Sequence, residues 1–335
     1  MKRKVIWGIL STAKIGRNKV IPAMQKSEWI EVRAIASRSE AAARQAANEL
    51  NIPRAYGSYE ALLSDPEIEA IYNPVPNHLH IPLTLQAAEA GKHVLCEKPI
   101  ALTAEEAGQL RSAPRKVHIM EAFMVRFHVQ WLRVRELIRS GRIGEPRAVQ
   151  VFFSYYNDDP ANIRNQPEIG GGALYDIGCY GIVAGRFFFE SEPIRVAALM
   201  DRDPLLRTDR TTSAIADFGK GRQLSFTVST QCVPYQRAQI VGTRGRIEIH
   251  IPVNAPQGEA SRISINDEVE ILPPCDQYTL QGEAFSRAVR GEIPLPYGLE
   301  DALMNMRIID AMYRSEKSGR FEAVLSTSAG VPESE

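Results

Sequence analysis

The chain has 335 residues, long for one hydrophobic core, since single cores stop growing at roughly 250–300 residues, so two domains are expected. Its 40 Lys and Arg balance 40 Asp and Glu, which leaves no surplus positive charge for nucleic acid or an anionic membrane surface. With 44% hydrophobic and 24% charged residues the composition is that of an ordinary soluble globular chain.

Cys96, Cys179, Cys232 and Cys275 are too scattered for a disulfide framework or a metal site, which fits a reducing compartment. The start is basic and then apolar, but the apolar run from Val5 to Leu10 ends at Ser11, too short for the core of a secretion signal. No apolar stretch approaches the length of a bilayer span. A cytoplasmic location, with neither membrane nor nucleic acid as partner, is the expectation.

In chain order, Val5–Leu10 is a continuous apolar run, the mark of a strand buried on both faces. A helix is expected over 15–25, a strand over 32–36, an alanine-rich helix over 40–50 and a third strand over 69–72. A helix over 78–90 ends at Gly91, and His93–Cys96 forms the fourth strand. Thr103 with Glu106 caps a helix over 103–111, and a fifth strand covers 116–120. This β-α-β-α order predicts a doubly wound parallel sheet of Rossmann type over residues 1–122.

The pattern changes after a helix over 125–139. Longer alternating strands are expected at 148–156, 194–201, 211–218, 223–230, 238–242 and 246–251, with turns at Gly219, Gly221, Gly242 and Gly245. Helices over 277–290 and 299–318 close the fold, and Ser326–Glu335 reads as a frayed tail. The overall class is therefore α/β, with an α+β domain over 123–335 whose largely antiparallel sheet leaves one face open. The late helices are too few to cover that face, which predicts a homodimer or a dimer of dimers joined through it.

Three turns carry candidate chemistry. A dinucleotide fingerprint after the first strand would place glycines at 11, 13 and 16, and only Gly16 remains; Ser11 and Ala13 still allow a pyrophosphate to approach a helix N-terminus. The second strand ends in Ser37-Arg38, where an NAD site wants an acid; a hydroxyl and a guanidinium suit the 2′-phosphate of NADP, with NAD the alternative. The fourth strand ends in Glu97-Lys98-Pro99, so Lys98 stands in the crevice where such sheets bind ligands, and Pro99 is expected to be cis.

Val75-Pro76-Asn77-His78-Leu79-His80, Glu97-Lys98-Pro99 and Gly170–Tyr180, with Glu121–His128 and Tyr297–Ala302, resemble the Gfo/Idh/MocA oxidoreductase family over nearly the whole chain. Tyr180, where many relatives have histidine, resembles the branch of dimeric dihydrodiol dehydrogenases and NADP-dependent xylose dehydrogenases. The resemblance implies hydride transfer between NADP and a hydroxyl or carbonyl of a sugar or polyol. It also implies a cofactor held by Gly8, Ser11, Thr12, Ala13, Lys14, Ile15, Ser37, Arg38, Pro76, Asn77, His80, Glu97 and Lys98, joined by Arg126, Arg164 and Tyr297.

Alcohol oxidation needs a base for the hydroxyl proton. Free tyrosine, with a pKa near 10, is a poor one until a neighbouring ammonium stabilises its phenolate. Lys98 and Tyr180 are suited to that pairing, and Asp176, four residues before Tyr180, shares its face if a helix follows the glycines and can then fix a substrate hydroxyl. No metal-ligand spacing and no serine or cysteine nucleophile motif is seen. An NAD-dependent glycosidase and a non-catalytic NADP-binding sensor are the alternatives; the first wants an acid after the second strand, and the second has no use for Lys98, Asp176 and Tyr180 together.

Overall fold

The computed structural model describes residues 3–324; the expected frayed tail at Ser326–Glu335 lies outside them. The compact units do not coincide with one cut between residues 122 and 123. Among the described residues, the first unit comprises 3–132, 255–261 and 272–303, and the second comprises 133–254, 262–271 and 304–324. Residues 299–303 of the long helix Leu299–Ser318 belong to the first unit and the rest to the second.

The first unit is built on a six-stranded sheet of β1 (Val5–Leu10), β2 (Ile30–Ala36), β3 (Arg54–Tyr56), β4 (Ala70–Asn73), β5 (His93–Cys96) and β6 (Ile119–Glu121). Their order is β3-β2-β1-β4-β5-β6, and every pairing is parallel. The chain turns outward in opposite directions from β1, so β1 and β4 flank the switch point whose carboxyl end is the ligand crevice of such sheets. Val5, Trp7, Ile9 and Leu10 are fully buried, as the apolar run requires. β3 and the helix Tyr59–Leu63 were not expected, because the half-exposed Arg54-Ala55-Tyr56 has no apolar run to announce it.

The late helix Gln277–Val289 belongs to this unit as well. Asp276 caps it by accepting from the N–H groups of Tyr278 and Thr279. Gly282 brings it close to the sheet, since a Cβ there would stand 2.8 Å from Ile30 Cδ1. Phe285 then lies 5.3 Å from the Trp7 ring, and Trp7 Nε1 donates to Ser286 Oγ at 3.1 Å. A buried indole thus keeps its hydrogen bond.

The second unit carries β7 (Pro146–Tyr156), β8 (Arg195–Arg202), β9 (Asp209–Asp217), β10 (Gln223–Ser229), β11 (Gln231–Gly242), β12 (Arg246–Ile249), β13 (Ser261–Ile265), β14 (Glu268–Leu272) and β15 (Glu322–Ala323). They form one nine-stranded sheet in the order β14-β13-β12-β11-β7-β10-β9-β8-β15. All but one of the pairings whose direction is recorded are antiparallel; the central β7 and β10 run parallel. β11 starts seven residues earlier than the sequence pattern suggests, and its register shifts between Gln231 and Tyr235, around Pro234, which has no N–H for a regular ladder. The unanticipated hairpin β13–β14 turns at Asn266, in the left-handed region at φ +56°.

The period of two along each strand makes two unlike faces. One row across the sheet reads Val196, Ala216, Leu224, Val149 and Ile240, all buried, and the helix Cys179–Phe189 seats Gly181 on Phe226 and Gly185 on Leu224. On the other face the registered row is Leu199, Ser213, Thr227, Phe152 and Arg237, and beside it lie Ala197, Ile215, Ser225, Gln150 and Gln239. Leu199 is 76% exposed and Ile215 48%, so this face is open, as its alternation predicts.

Candidate active site

In the first unit the chemistry-bearing turns lie at the carboxyl ends of β1, β2, β4 and β5. Ser11 adopts φ +74°, a left-handed conformation glycine would tolerate without strain, and its Oγ accepts from the N–H of Ala13 at 3.3 Å. The expected helix over 15–25 is present as a continuous helical stretch over 14–24, with a π-turn at Gly16–Val20 followed by Ile21–Met24. No side chain caps that π-turn, and the Arg17 N–H inside it donates to the Ala13 carbonyl at 3.1 Å. Gly8 serves packing: a Cβ there would stand 2.7 Å from Leu62 Cδ2. Thr12 and Ala13 are half-buried, Lys14 is exposed, and Ile15 packs against the core.

After β2, the half-buried Ser37 and exposed Ser39 sit at the next helix entry, where Ser39 caps Ala42. The Arg38 guanidinium is exposed and makes no hydrogen bond or ion pair among the described residues; Tyr59 lies within reach of its charge. After β4, Pro76 and Asn77 are half-buried in a 3₁₀ turn. After β5 the Lys98–Pro99 peptide is cis, as expected. Glu97 holds this turn from inside: Oε1 accepts from Tyr72 Oη at 2.6 Å and Oε2 from the Lys98 N–H at 3.3 Å. Glu121 accepts from the N–H of Ile100 at 2.9 Å on its far side.

Three of the expected cofactor contacts are otherwise engaged. His80 is 1% exposed, with Nδ1 2.7 Å from the Pro99 carbonyl and Nε2 2.8 Å from the Val75 carbonyl; the neutral ring donates to one of the two, a strap between the turns rather than a ligand-facing ring. Arg126 is 3% exposed, paired with Asp301 and stacked 4.3 Å over the Tyr297 ring, so both Arg126 and Tyr297 are packed into one aromatic–guanidinium cluster.

In the second unit the glycine run does what its sequence suggests. Gly171 and Gly172 donate to the carbonyls of Gln166 and Arg164, and a Cβ on Gly171 would stand 2.6 Å from the Arg164 oxygen. The turn leads into a π-turn, Leu174–Gly178, and then the helix Cys179–Phe189. Asp176 lies in the first and Tyr180 in the second. Asp176 is held at both oxygens: Oδ2 accepts from Tyr155 Oη at 2.6 Å and Oδ1 pairs with Arg164 Nε at 3.0 Å. Arg164, expected at the cofactor, is thus committed to Asp176, and Asp176 first, with Tyr155 and Tyr180 adding to it, holds its pKa above the ordinary value. Burial and then the Asp176 charge push Tyr155 up, so it stays a donor. Tyr180 is 6% exposed beside Phe153, with ring centroids 6.2 Å apart. Tyr155 was not anticipated; its strand was legible, its partner three elements on was not.

Residues 5–126 match the family model described as "Oxidoreductase family, NAD-binding Rossmann fold", and residues 131–248 match the GFO/IDH/MocA C-terminal domain. An uncharacterised oxidoreductase of Rhizobium meliloti is 46% identical over 96% of this chain and 99% of its own length. The chain belongs to the Gfo/Idh/MocA oxidoreductase family. A D-xylose 1-dehydrogenase (NADP(+)) of Haloferax volcanii is 39% identical over 94% of this chain and 98% of the relative. A 3-ketoreductase from Actinomadura kijaniata, solved with NADP and TDP-benzene, superposes with a TM-score of 0.88 at 28% identity, over 93% of this chain and 98% of that one. The family resemblance read from the motifs is therefore correct, and the likeness to NADP-dependent xylose dehydrogenase with it.

The strap has a pH consequence. Burial lowers the His80 pKa from 6.5 to about 4, against the pull of its two carbonyl partners and with the help of the Lys98 and His78 charges. Burial likewise takes His93 and His128 to about 4. The unfolded chain then binds more protons than the folded one between these values. The neutral ring's contribution is present above pH 6.5 and is lost as pH falls through 4. In wild type His80 alone is expected to remove up to about 3 kcal/mol of stability over that window. Urea unfolding at pH 7 and pH 4.5 checks this: His80→Gln is destabilised at pH 7 but shows a shallower acid loss than wild type.

Proposed function

We propose that the chain transfers a hydride between NADP and a CH–OH or C=O carbon of an aldose or polyol-like substrate in the cytoplasm, with residues 133–254 contributing the substrate-binding side. The observation that carries it is Asp176, a carboxylate held by Tyr155 and Arg164 one turn ahead of Tyr180 on a glycine-entered helix. The xylose dehydrogenase relative supports the substrate class, and the four free cysteines support a reducing compartment.

The residues at the carboxyl end of the first sheet fit NADP. The π-turn after β1 is uncapped, the side chains at 11 and 13 are small, and Arg38 is free for a 2′-phosphate. Bound there, the nicotinamide supplies the hydride acceptor or donor. Asp176 accepts a hydrogen bond from a substrate hydroxyl and fixes its direction. Tyr180 takes the hydroxyl proton at Oη on oxidation and returns it on reduction. The Arg164 charge, which interacts with Tyr180, makes the phenolate less costly, and Lys98 is the ammonium that the sequence pattern pairs with it.

Lys98→Met or Tyr180→Phe is expected to cut turnover roughly 10²–10⁴-fold, as for a positioned acid–base group, with the double variant little worse than either. A panel of aldoses, polyols and dihydrodiols followed at 340 nm reads this, and near wild-type turnover in Tyr180→Phe reduces the tyrosine to packing.

Arg38→Ala is expected to weaken NADP at least tenfold while leaving NAD within about twofold, since only the former offers a phosphate to lose. Cofactor titrations check it, and equal loss for both returns Arg38 to a solvated surface charge.

The open sheet face surrounds a hollow of about 560 Å³ walled by Phe152, Leu199, Ile215 and Tyr235 among hydroxyls and amides, and it contains none of Asp176, Tyr180 or Arg164. We assign this face to pairing between copies in a homodimer, or a dimer of dimers. Light scattering at micromolar concentration is expected to give the dimer mass or a multiple, and Leu199→Glu with Ile215→Glu to give the monomer. A wild-type monomer overturns the assignment.

A further inference from the structure

β9 begins at Asp209, a carboxylate 1% exposed that has no part in the chemistry above. Its Oδ2 accepts from the backbone N–H of Leu174 at 2.7 Å and from Thr212 Oγ1 at 2.7 Å. Tyr313, on the helix Leu299–Ser318, also hydrogen-bonds this carboxylate. Leu174 opens the π-turn that contains Asp176 and runs on into the helix of Tyr180.

The first N–H groups of any helix lack an intrahelical partner. Here Ala173 occupies the cap position and has no side chain able to accept one. Asp209 supplies that acceptor from another strand, and its charge lies at the end of the helix where negative charge is favourable. The approach is so close that a Cβ on Gly172, at φ +122°, would stand 2.0 Å from Asp209 Oδ1. Glycine at 172 is therefore required twice, by its backbone angle and by the carboxylate.

We propose that Asp209 is a positioning residue, the acceptor that seats the entry of the reactive helix and so sets where Asp176 and Tyr180 stand. The proposal rests on the roles given above to those two residues. Burial raises the Asp209 pKa from 3.8 to about 6, although Thr212, the Leu174 N–H and the Arg202 charge all pull it down. The titratable and charged groups facing it are Arg202 from β8, Tyr313 from the last helix and, stacked 5.3 Å from Tyr313, Tyr175. Above pH 6 Oδ2 accepts from Leu174 and Thr212 as part of an ionised carboxylate. Below it one carries a proton, acceptor capacity falls, and the helix entry loosens while ordinary carboxylates are still ionised. A raised carboxyl pKa adds to global stability below 3.8, and that contribution is lost as pH rises through 6. The loosening on the acid side is therefore local and runs against this group's effect on overall stability.

The experiment measures kcat and KM against pH for wild type, Asp209→Asn and Thr212→Val. Alongside it, hydrogen exchange at residues 174–178 without substrate is followed over the same range, corrected for intrinsic rates. Wild type is expected to lose kcat below about pH 6 at constant KM for NADP. The amide protection falls in the same window. Asp209→Asn is expected to lower kcat roughly tenfold or more at pH 7, the value of a charge-assisted hydrogen bond, and to abolish the acid limb. Thr212→Val removes a donor to the ionised form and is expected to move the limb upward. A folded Asp209→Asn enzyme with wild-type kcat and an intact limb overturns the proposal. If that variant does not fold, an unmoved limb in Thr212→Val does so. Should wild type turn over no substrate of the panel, the proposed reaction fails, while pH-dependent protection at 174–178 still decides whether Asp209 seats the helix.

Discussion

Everything in the second unit's reactive region depends on one close approach, the backbone of Gly171-Gly172 lying against the Arg164 carbonyl on one side and the Asp209 carboxylate on the other. A side chain at either position would meet an oxygen at 2.6 Å or less. Because neither has one, the loop carrying Arg164 can reach over the helix entry and place its guanidinium on Asp176. The same approach lets β9 present Asp209 to the Leu174 N–H. The glycines are thus less a flexible hinge than a space requirement, filled from both sides by hydrogen-bonded groups. Flexibility would scatter Asp176; crowding without a Cβ fixes it.

A similar solution appears at the end of β1, where Ser11 takes a glycine-like φ and the helix that follows starts as a π-turn. Both helix entries that carry chemistry are π-turns, a local widening often found where function overrides regular geometry. In each, the ordinary capping pattern is missing from the chain's own N-cap. After β1 no side chain fills the gap. Before Tyr180 it is filled by Asp209.

The parts of the fold that were legible follow from local periodicity. The apolar run of β1, the helix over 40–50 and the last helix were read almost to the residue, because burial on one or both faces leaves a repeating mark in the sequence. β3, β13 and β14 were missed because they are short and half-polar, and pairing with a neighbour defines them more than their own residues do. The site divides the same way. Lys98, Asp176 and Tyr180 could be singled out from strand ends, glycines and family motifs. His80 and Arg126 were expected to face a ligand, yet they hold backbone carbonyls and an aspartate–tyrosine cluster inside the first unit. Short-range pattern shows that a residue stands at a turn but not which way its side chain faces. Tyr155 and Asp209 were invisible for the complementary reason. Each acts on a segment 21 or 35 residues away in sequence, through a contact that exists only after the sheet has formed.

The way Asp176 is held also bears on how the proton must travel. A carboxylate that accepts a phenol at 2.6 Å and faces a guanidinium at 3.0 Å has both oxygens engaged. Its lone pairs are directed, so it can orient a hydroxyl, but removing a proton would mean giving up the pairing with Arg164. Tyr155 cannot serve either, since burial and the adjacent charge both oppose its ionisation. Tyr180 is the next polar side chain along this helix, and the Arg164 charge reaches it. The trio of Tyr155, Asp176 and Arg164 is therefore suited to orienting a hydroxyl, which leaves the phenol one turn further along as the proposed proton acceptor.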